Sequence, residues 1–226
     1  MEERTYLRRR GRMTRGQARA LDRAGDTMIV DSTSPDWPAV FGRQAPLGVE
    51  VGFGMGHALL DWAAECPDWN LVGIEVYQPG IGALLLGLDS QGSTNVRVLE
   101  ADARQALAAG FEPDSIDEVR ILFPDPWPKK RHHKRRLVQP DFVRLLASRM
   151  RPGARLGLAT DWQDYAQHML TVLDAEPLLQ NRSGQGSYAE RPSGRPTTRF
   201  EERGRRLGHQ VWDLGYERKR ETTESR

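Results

Sequence analysis

The sequence has a single cysteine, Cys66. That excludes an internal disulfide and a metal cluster built on several thiolates. A reducing compartment, the cytoplasm, is the expected setting. Long apolar runs are also lacking. The longest, residues 81–88, falls far short of the ~20 apolar residues that a membrane-spanning helix needs. The basic N-terminus is followed by no apolar stretch, so neither a secretory signal nor a membrane partner is expected. What remains is a chain of 226 residues, 38% hydrophobic and 28% charged, long enough for one α/β domain with its own core.

The net charge of +2 conceals an uneven distribution. Residues 1–23 hold eight arginines against three acids, and residues 129–136 read Lys-Lys-Arg-His-His-Lys-Arg-Arg. Positive charge concentrated in this way suits a polyanionic partner, although either run alone also fits a solvated face. Residues 1–27 read as a basic arm without regular structure, and 221–226 as a tail.

Between them, strand and helix patterns alternate. Strands are expected at 47–52, 71–75, 95–100, 116–123 and 156–160. Helices are expected at 56–66, 79–88, 103–109, 139–150 and 162–173. This alternation implies a parallel sheet with helices on both faces. Residues 176–183 and 209–217 then suggest a final antiparallel hairpin. In such a sheet, ligands bind beyond the carboxyl ends of the strands, so the loops there carry the chemistry.

The first of these loops is Val49-Glu50-Val51-Gly52-Phe53-Gly54-Met55-Gly56. A dinucleotide fingerprint would place its third glycine at position 57, which is His57. The spacing instead resembles the first motif of Rossmann-like methyltransferases. The charge agrees: Glu50 would disfavour a pyrophosphate but favours the sulfonium and ammonium of S-adenosylmethionine. Glu75 ends the second strand, where an acid can accept from ribose hydroxyls. Asp102 and Ala103 follow the third. Asp102 suits either an adenine amino group or the cap of the next helix.

The fourth strand delivers Phe123-Pro124-Asp125-Pro126-Trp127-Pro128, which runs directly into Lys129, Lys130, Arg131, His132, His133, Lys134, Arg135 and Arg136. The prolines fix φ and remove backbone donors around Asp125. Trp127 suits a stacking surface or a place in the core. No acid or cysteine adjoins the two histidines, so no metal is expected there. Asp161 follows the fifth strand as a substrate contact or a helix cap. Thr198 and Glu201 have the spacing of a capping box.

These segments, with Ala159-Thr160-Asp161-Trp162, Thr198-Arg199-Phe200-Glu201 and Arg203-Gly204-Arg205-Arg206-Leu207-Gly208-His209, resemble the bacterial tRNA (guanine-N7-)-methyltransferases. The likeness spans residues 28–220. It implies a class I, Rossmann-like methyltransferase domain with a mostly parallel seven-stranded sheet. It also implies methyl transfer from S-adenosylmethionine to the variable-loop guanine of tRNA. In that family's pattern, Glu50, Gly52, Gly54, Gly56, Glu75, Asp102, Ala103 and Asp125 line the cofactor site. Lys129, Asp161, Thr198, Arg199, Phe200 and Glu201 contact substrate, and residues 131–136 contact RNA. An amino-methyltransferase acting on another base and a non-catalytic RNA-binding protein stay open as alternatives. Monomer and homodimer are equally open.

Overall fold

A computed structural model of the chain describes residues 11–28, 35–192, 195, 201–202, 208 and 210–220. Helices α1 (Arg15–Met28) and α2 (Trp37–Phe41) precede the sheet. Then follow β1 (Leu47–Val51), α3 (His57–Glu65), β2 (Asn70–Glu75), α4 (Gln78–Gln91), β3 (Val96–Glu100) and α5 (Ala103–Gly110). Next come β4 (Ile116–Leu122), a 3-10 helix (Lys130–Arg135), α6 (Pro140–Arg149), β5 (Met150–Thr160) and α7 (Gln163–Asp174), before β6 (Leu179–Asn181) and β7 (Trp212–Arg218). The strands form one sheet in the order β3-β2-β1-β4-β5-β7-β6. The first five strands are parallel, and β7 pairs antiparallel with both β5 and β6. The expected seven-stranded sheet with a C-terminal antiparallel hairpin is what the chain forms.

Successive residues of a strand face opposite sides, and here they feed two cores. Val49, Val51, Val72 and Ile74 pack with α5, α6 and α7. Leu71, Val96 and Val98 pack with Leu59 and Trp62 of α3, Leu84 of α4 and Ala20 of α1. Gly48 and Gly73 let that second layer sit close. A Cβ on Gly48 would lie 2.6 Å from the Trp62 ring, and one on Gly73 2.6 Å from Phe53.

Three elements depart from the sequence expectation. Residues 15–28, assigned to an unstructured arm, form α1. Its start is a reciprocal capping box: Thr14 N donates to Gln17 Oε1 (2.8 Å) and Gln17 N to Thr14 Oγ1 (3.2 Å). Ala20 is buried and Gln17 packs on Gly82 of α4, so tertiary contact fixes the helix. Residues 37–41, for which no element is expected, form α2. Asp36 caps it, Gly42 ends it at φ 68°, and Trp37 stacks on Phe111 at 5.3 Å. Strand β5 starts six residues early, at Met150, because an irregular register against β4 accommodates Pro152 and Gly153. Thr198, Arg199, Phe200, the arginines before Gly11 and the tail lie outside the described residues.

Candidate functional site

Acids and glycines singled out from the sequence gather on one edge of the sheet. Across the strand order, Asp102 follows β3, Glu75 ends β2, the glycine loop follows β1, Asp125 follows β4 and Asp161 follows β5. The chain order reverses between β1 and β4, and a crevice at such a point is where open parallel sheets bind ligands.

Gly52, Gly54 and Gly56 all adopt left-handed φ, at 72°, 59° and 82°, which other residues disfavour. The loop is pinned from two sides. Gly54 N donates to Glu75 Oε2 at 2.8 Å. From α4, Gly80 approaches so closely that a Cβ there would stand 1.9 Å from the Gly54 carbonyl oxygen. Glu75 Oε1 also accepts from Val76 N and Tyr77 N, so three backbone donors orient this carboxylate. Asp102 is the N-cap of α5, accepting from Arg104 N at 2.9 Å, and Ala103 opens that helix.

Glu50 is 2% exposed, and its Oε2 has no hydrogen-bond partner. It lies in register with Arg120 of β4, but that guanidinium bonds Glu118 and sits 3.8 Å over the Trp62 ring. Burial pushes the Glu50 carboxyl up from 4.5 to about 8, with Arg120 only partly opposing it. A buried, unpaired carboxyl beside a glycine loop fits a cationic ligand. A pKa raised by folding stabilises the protein below the unfolded value and is lost as pH rises through the folded one. Glu50→Gln stays neutral at every pH. Its stability advantage over wild type is therefore expected to grow from about pH 4.5 to about pH 8, then level off. Urea denaturation of both proteins without cofactor across that range measures it, and curves that run parallel would refute the assignment.

The loop after β4 carries Asp125, half-buried, between two non-glycine residues in the left-handed region: Phe123 at φ 52° and Trp127 at φ 45°. Such residues cost about 1–3 kcal/mol each and persist where their surroundings hold them. Here Phe123 N donates to the Ala159 carbonyl at 2.8 Å. Trp127 turns inward, 8% exposed, with Arg135 over its ring at 5.2 Å and His132 edge-on at 5.8 Å. It is buried beneath the basic strip and belongs to neither of the two core clusters.

The basic strip is the 3-10 helix that continues this loop. Lys129, Lys130, Arg131 and Lys134 are exposed, while His132, His133 and Arg135 are half-buried. Arg136 is the exception and corrects the expectation that every residue of 131–136 faces RNA. It is 1% exposed because its guanidinium turns in to the Pro126 carbonyl, Asp164 and His133.

Asp161 is not the cap of α7. That position falls to Trp162, whose N–H reaches Thr160 Oγ1 at 3.3 Å, which leaves Asp161 half-buried at the β5 end.

Glu201, expected as a substrate contact and as a partner of Thr198 in a capping box, is 0% exposed and bound to Arg191 at 2.5 Å and Arg195 at 2.7 Å. Burial alone would raise its pKa, but bonds from Arg195 and Arg191 outweigh this and hold it below the usual carboxylate range. Arg195 also pairs with Asp213 of β7 and lies 5.7 Å over the Phe123 ring. Sequence reasoning missed Arg191 and Arg195 because they stand in a stretch that reads as loop. Among the described residues, no cluster of His, Cys, Asp and Glu could hold a metal ion, and no helix is long and apolar enough to cross a membrane.

Residues 44–214 match the family model described as "Putative methyltransferase". Over 218 residues the chain is 50% identical to the tRNA (guanine-N(7)-)-methyltransferase of Paraburkholderia xenovorans, covering 96% of this chain and 83% of that protein. It is 47% identical over 222 residues to the protein of the same description from Idiomarina loihiensis, covering 97% and 91%. Among solved structures, a variant of the 16S rRNA (adenine(1408)-N(1))-methyltransferase from Catenulisporales acidiphilia superposes with a TM-score of 0.54 at 16% identity, covering 82% of this chain and 90% of that one. At that identity the likeness is one of fold.

Proposed function

As the chain belongs to the tRNA (guanine-N(7)-)-methyltransferase family, we propose that it transfers the methyl group of S-adenosylmethionine to N7 of the variable-loop guanine, position 46, of tRNA. The observation that carries this reading is the pairing of two loops across the β1/β4 reversal. One is a glycine loop beside the buried Glu50. The other holds Asp125 and leads straight into exposed cations.

Glu50, Gly52, Gly54, Gly56, Glu75, Asp102, Ala103 and Asp125 would hold the cofactor, which supplies an electrophilic methyl on a sulfonium. The unpaired Glu50 oxygen suits that cation, whose nearby positive charge would favour the ionised form of the buried carboxyl. Glu75 has about four lone-pair positions and spends three on backbone donors, so capacity for a hydroxyl remains.

Guanine N7 presents a lone pair, so no base has to remove a proton first. Placement and charge stabilisation suffice, and good placement alone lowers a barrier by about 7–11 kcal/mol. Asp125 accepts from guanine N1–H and its amino group, a pairing that adenine cannot offer, and it steadies the cationic product. Asp161 stands at the neighbouring strand end as a second acceptor. Lys129, Lys130, Arg131 and Lys134 bind phosphates, with Arg135, His132 and His133 at the margin. Thr198, Arg199 and Phe200 extend the substrate contact that Glu201 anchors. The base is taken out of its stack to reach the crevice.

The test uses radiolabelled methyl donor and two unmodified tRNA transcripts, wild type and one with the variable-loop guanine changed to adenine. Label in the first alone, with chain cleavage at that base after reduction and aniline, is expected. Label in both transcripts moves the target elsewhere. Label without cleavage favours an amino-methyltransferase, and label in neither sinks the assignment.

A further inference from the structure

We propose that Arg136 is a positioning residue that holds the Asp125 loop in place and does not touch RNA. The proposal rests on the methyl-transfer reading above. Residues 123–128 include three prolines, which have no N–H to donate. Such a loop cannot knit itself together, and its carbonyls need donors from elsewhere. Arg136 is one such donor: its Nε reaches the Pro126 carbonyl, next to Asp125, at 3.0 Å.

The rest of the guanidinium is fixed behind that contact. Nη2 donates to Asp164 Oδ2 of α7 at 2.5 Å, and His133 Nε2 accepts from it at 3.1 Å, since arginine can only donate. The ring of Tyr165 lies beneath at 4.8 Å, and Tyr165 OH takes the Val138 N–H at 3.2 Å. The planar fork therefore joins three things: the loop, the 3-10 helix and α7. The Asp164 carboxylate is held below its usual range, chiefly by the hydrogen bond from Arg136, as a charged partner requires. Lys134, on the 3-10 helix that Arg136 follows, faces solvent instead. The six cations of 129–136 thus divide by the direction in which each points.

The two roles separate experimentally. A phosphate contact contributes about 0.7–0.9 to the slope of log affinity against log salt. A positioning residue contributes nothing to that slope but controls turnover, where ~1 Å of misplacement costs on the order of 10²-fold. For Arg136→Met, we expect kcat at saturating tRNA to fall on the order of 10²-fold, with the tRNA dissociation constant and salt slope unchanged. Arg136→Lys keeps the charge but not the fork, so it restores less than a tenth of the lost kcat. Lys134→Gln gives the opposite split, with a shallower slope. Should Arg136→Met not fold, Asp164→Ala decides: its side chain is 62% exposed, and its loss removes the acceptor that holds Nη2 from the solvent side.

Weaker binding and a shallower slope for Arg136→Met with kcat retained would overturn the proposal. So would full rescue by lysine, or a wild-type kcat in Asp164→Ala. A wild-type protein that labels no tRNA would overturn the underlying reading, and this is seen in the control before any variant is compared.

Discussion

Asp125→Ala is expected to lower the single-turnover rate of methyl transfer by about 10²–10³-fold, the usual loss when a preorganised charge at a reacting centre is removed. The loop around it supports an effect of that size. Two left-handed residues flank Asp125, one of them tied to Ala159 and the other buried, so the carboxylate is presented in one place. Asp125→Asn is the sharper variant. It keeps the volume but replaces one acceptor with a donor that opposes the guanine N1–H and amino group. Its rate should fall at least as far as that of alanine, since a donor facing donors is worse than a gap. Rapid-quench measurement with saturating tRNA and cofactor reads the step directly. If Asp125→Ala turns over as fast as wild type, the base-recognition role assigned to that carboxylate is wrong.

The largest expected effect on stability is that of Glu201→Ala. Glu201 is fully buried and neutralises two arginines, Arg191 and Arg195. Its loss removes two charge-assisted hydrogen bonds, while Arg195 keeps Asp213 and Arg191 is partly exposed, so the cost is about 2–3 kcal/mol. For a chain of this size, that lowers the melting temperature by roughly 5–10 °C. Glu201→Gln keeps the volume and one acceptor oxygen, and should lie between wild type and alanine. Activity should decline with stability, because Arg195 also lies over Phe123 at the start of the Asp125 loop. Calorimetry of the three proteins tests the ranking. A Glu201→Ala melting temperature within 2 °C of wild type would show the cluster to be energetically idle.

Much of this site could be read from the sequence, and the reason is periodicity. Strand patterns located the carboxyl ends, and Glu50, Glu75, Asp102, Asp125 and Asp161 are legible because each stands at one of them. The helix α4 was placed short, since residues 89–91 look like a loop until Gly92 ends the helix at φ 67°. The helix α1 is masked in the sequence by its arginines, although Thr14 and Gln17 carry its capping signature. Arg136 could not be told from its neighbours: in sequence all the cations of the strip look alike. Its direction depends on the turn of a 3-10 helix and on Asp164, 28 positions away. Arg195 was hidden for the same reason, with its partner Asp213 separated by 18 positions. Local pattern reveals which element a residue belongs to, and long-range partners decide which way it points.

The strand order also governs how the chain emerges from the ribosome. Strands β1 to β5 pair with one another in the order they need, but β7 inserts between β5 and β6. Until Arg218 has been synthesised, the outer edge of β5 has no partner and β6 has nothing to pair with. At about 5–20 residues per second, the interval from Thr160 to Arg218 lasts roughly 3–12 s. Throughout that time the nascent chain carries an open strand edge along residues 155–160, the kind of template on which unfolded chains associate. Strand β7 is therefore the one that shields the edge of β5 from other copies of the chain.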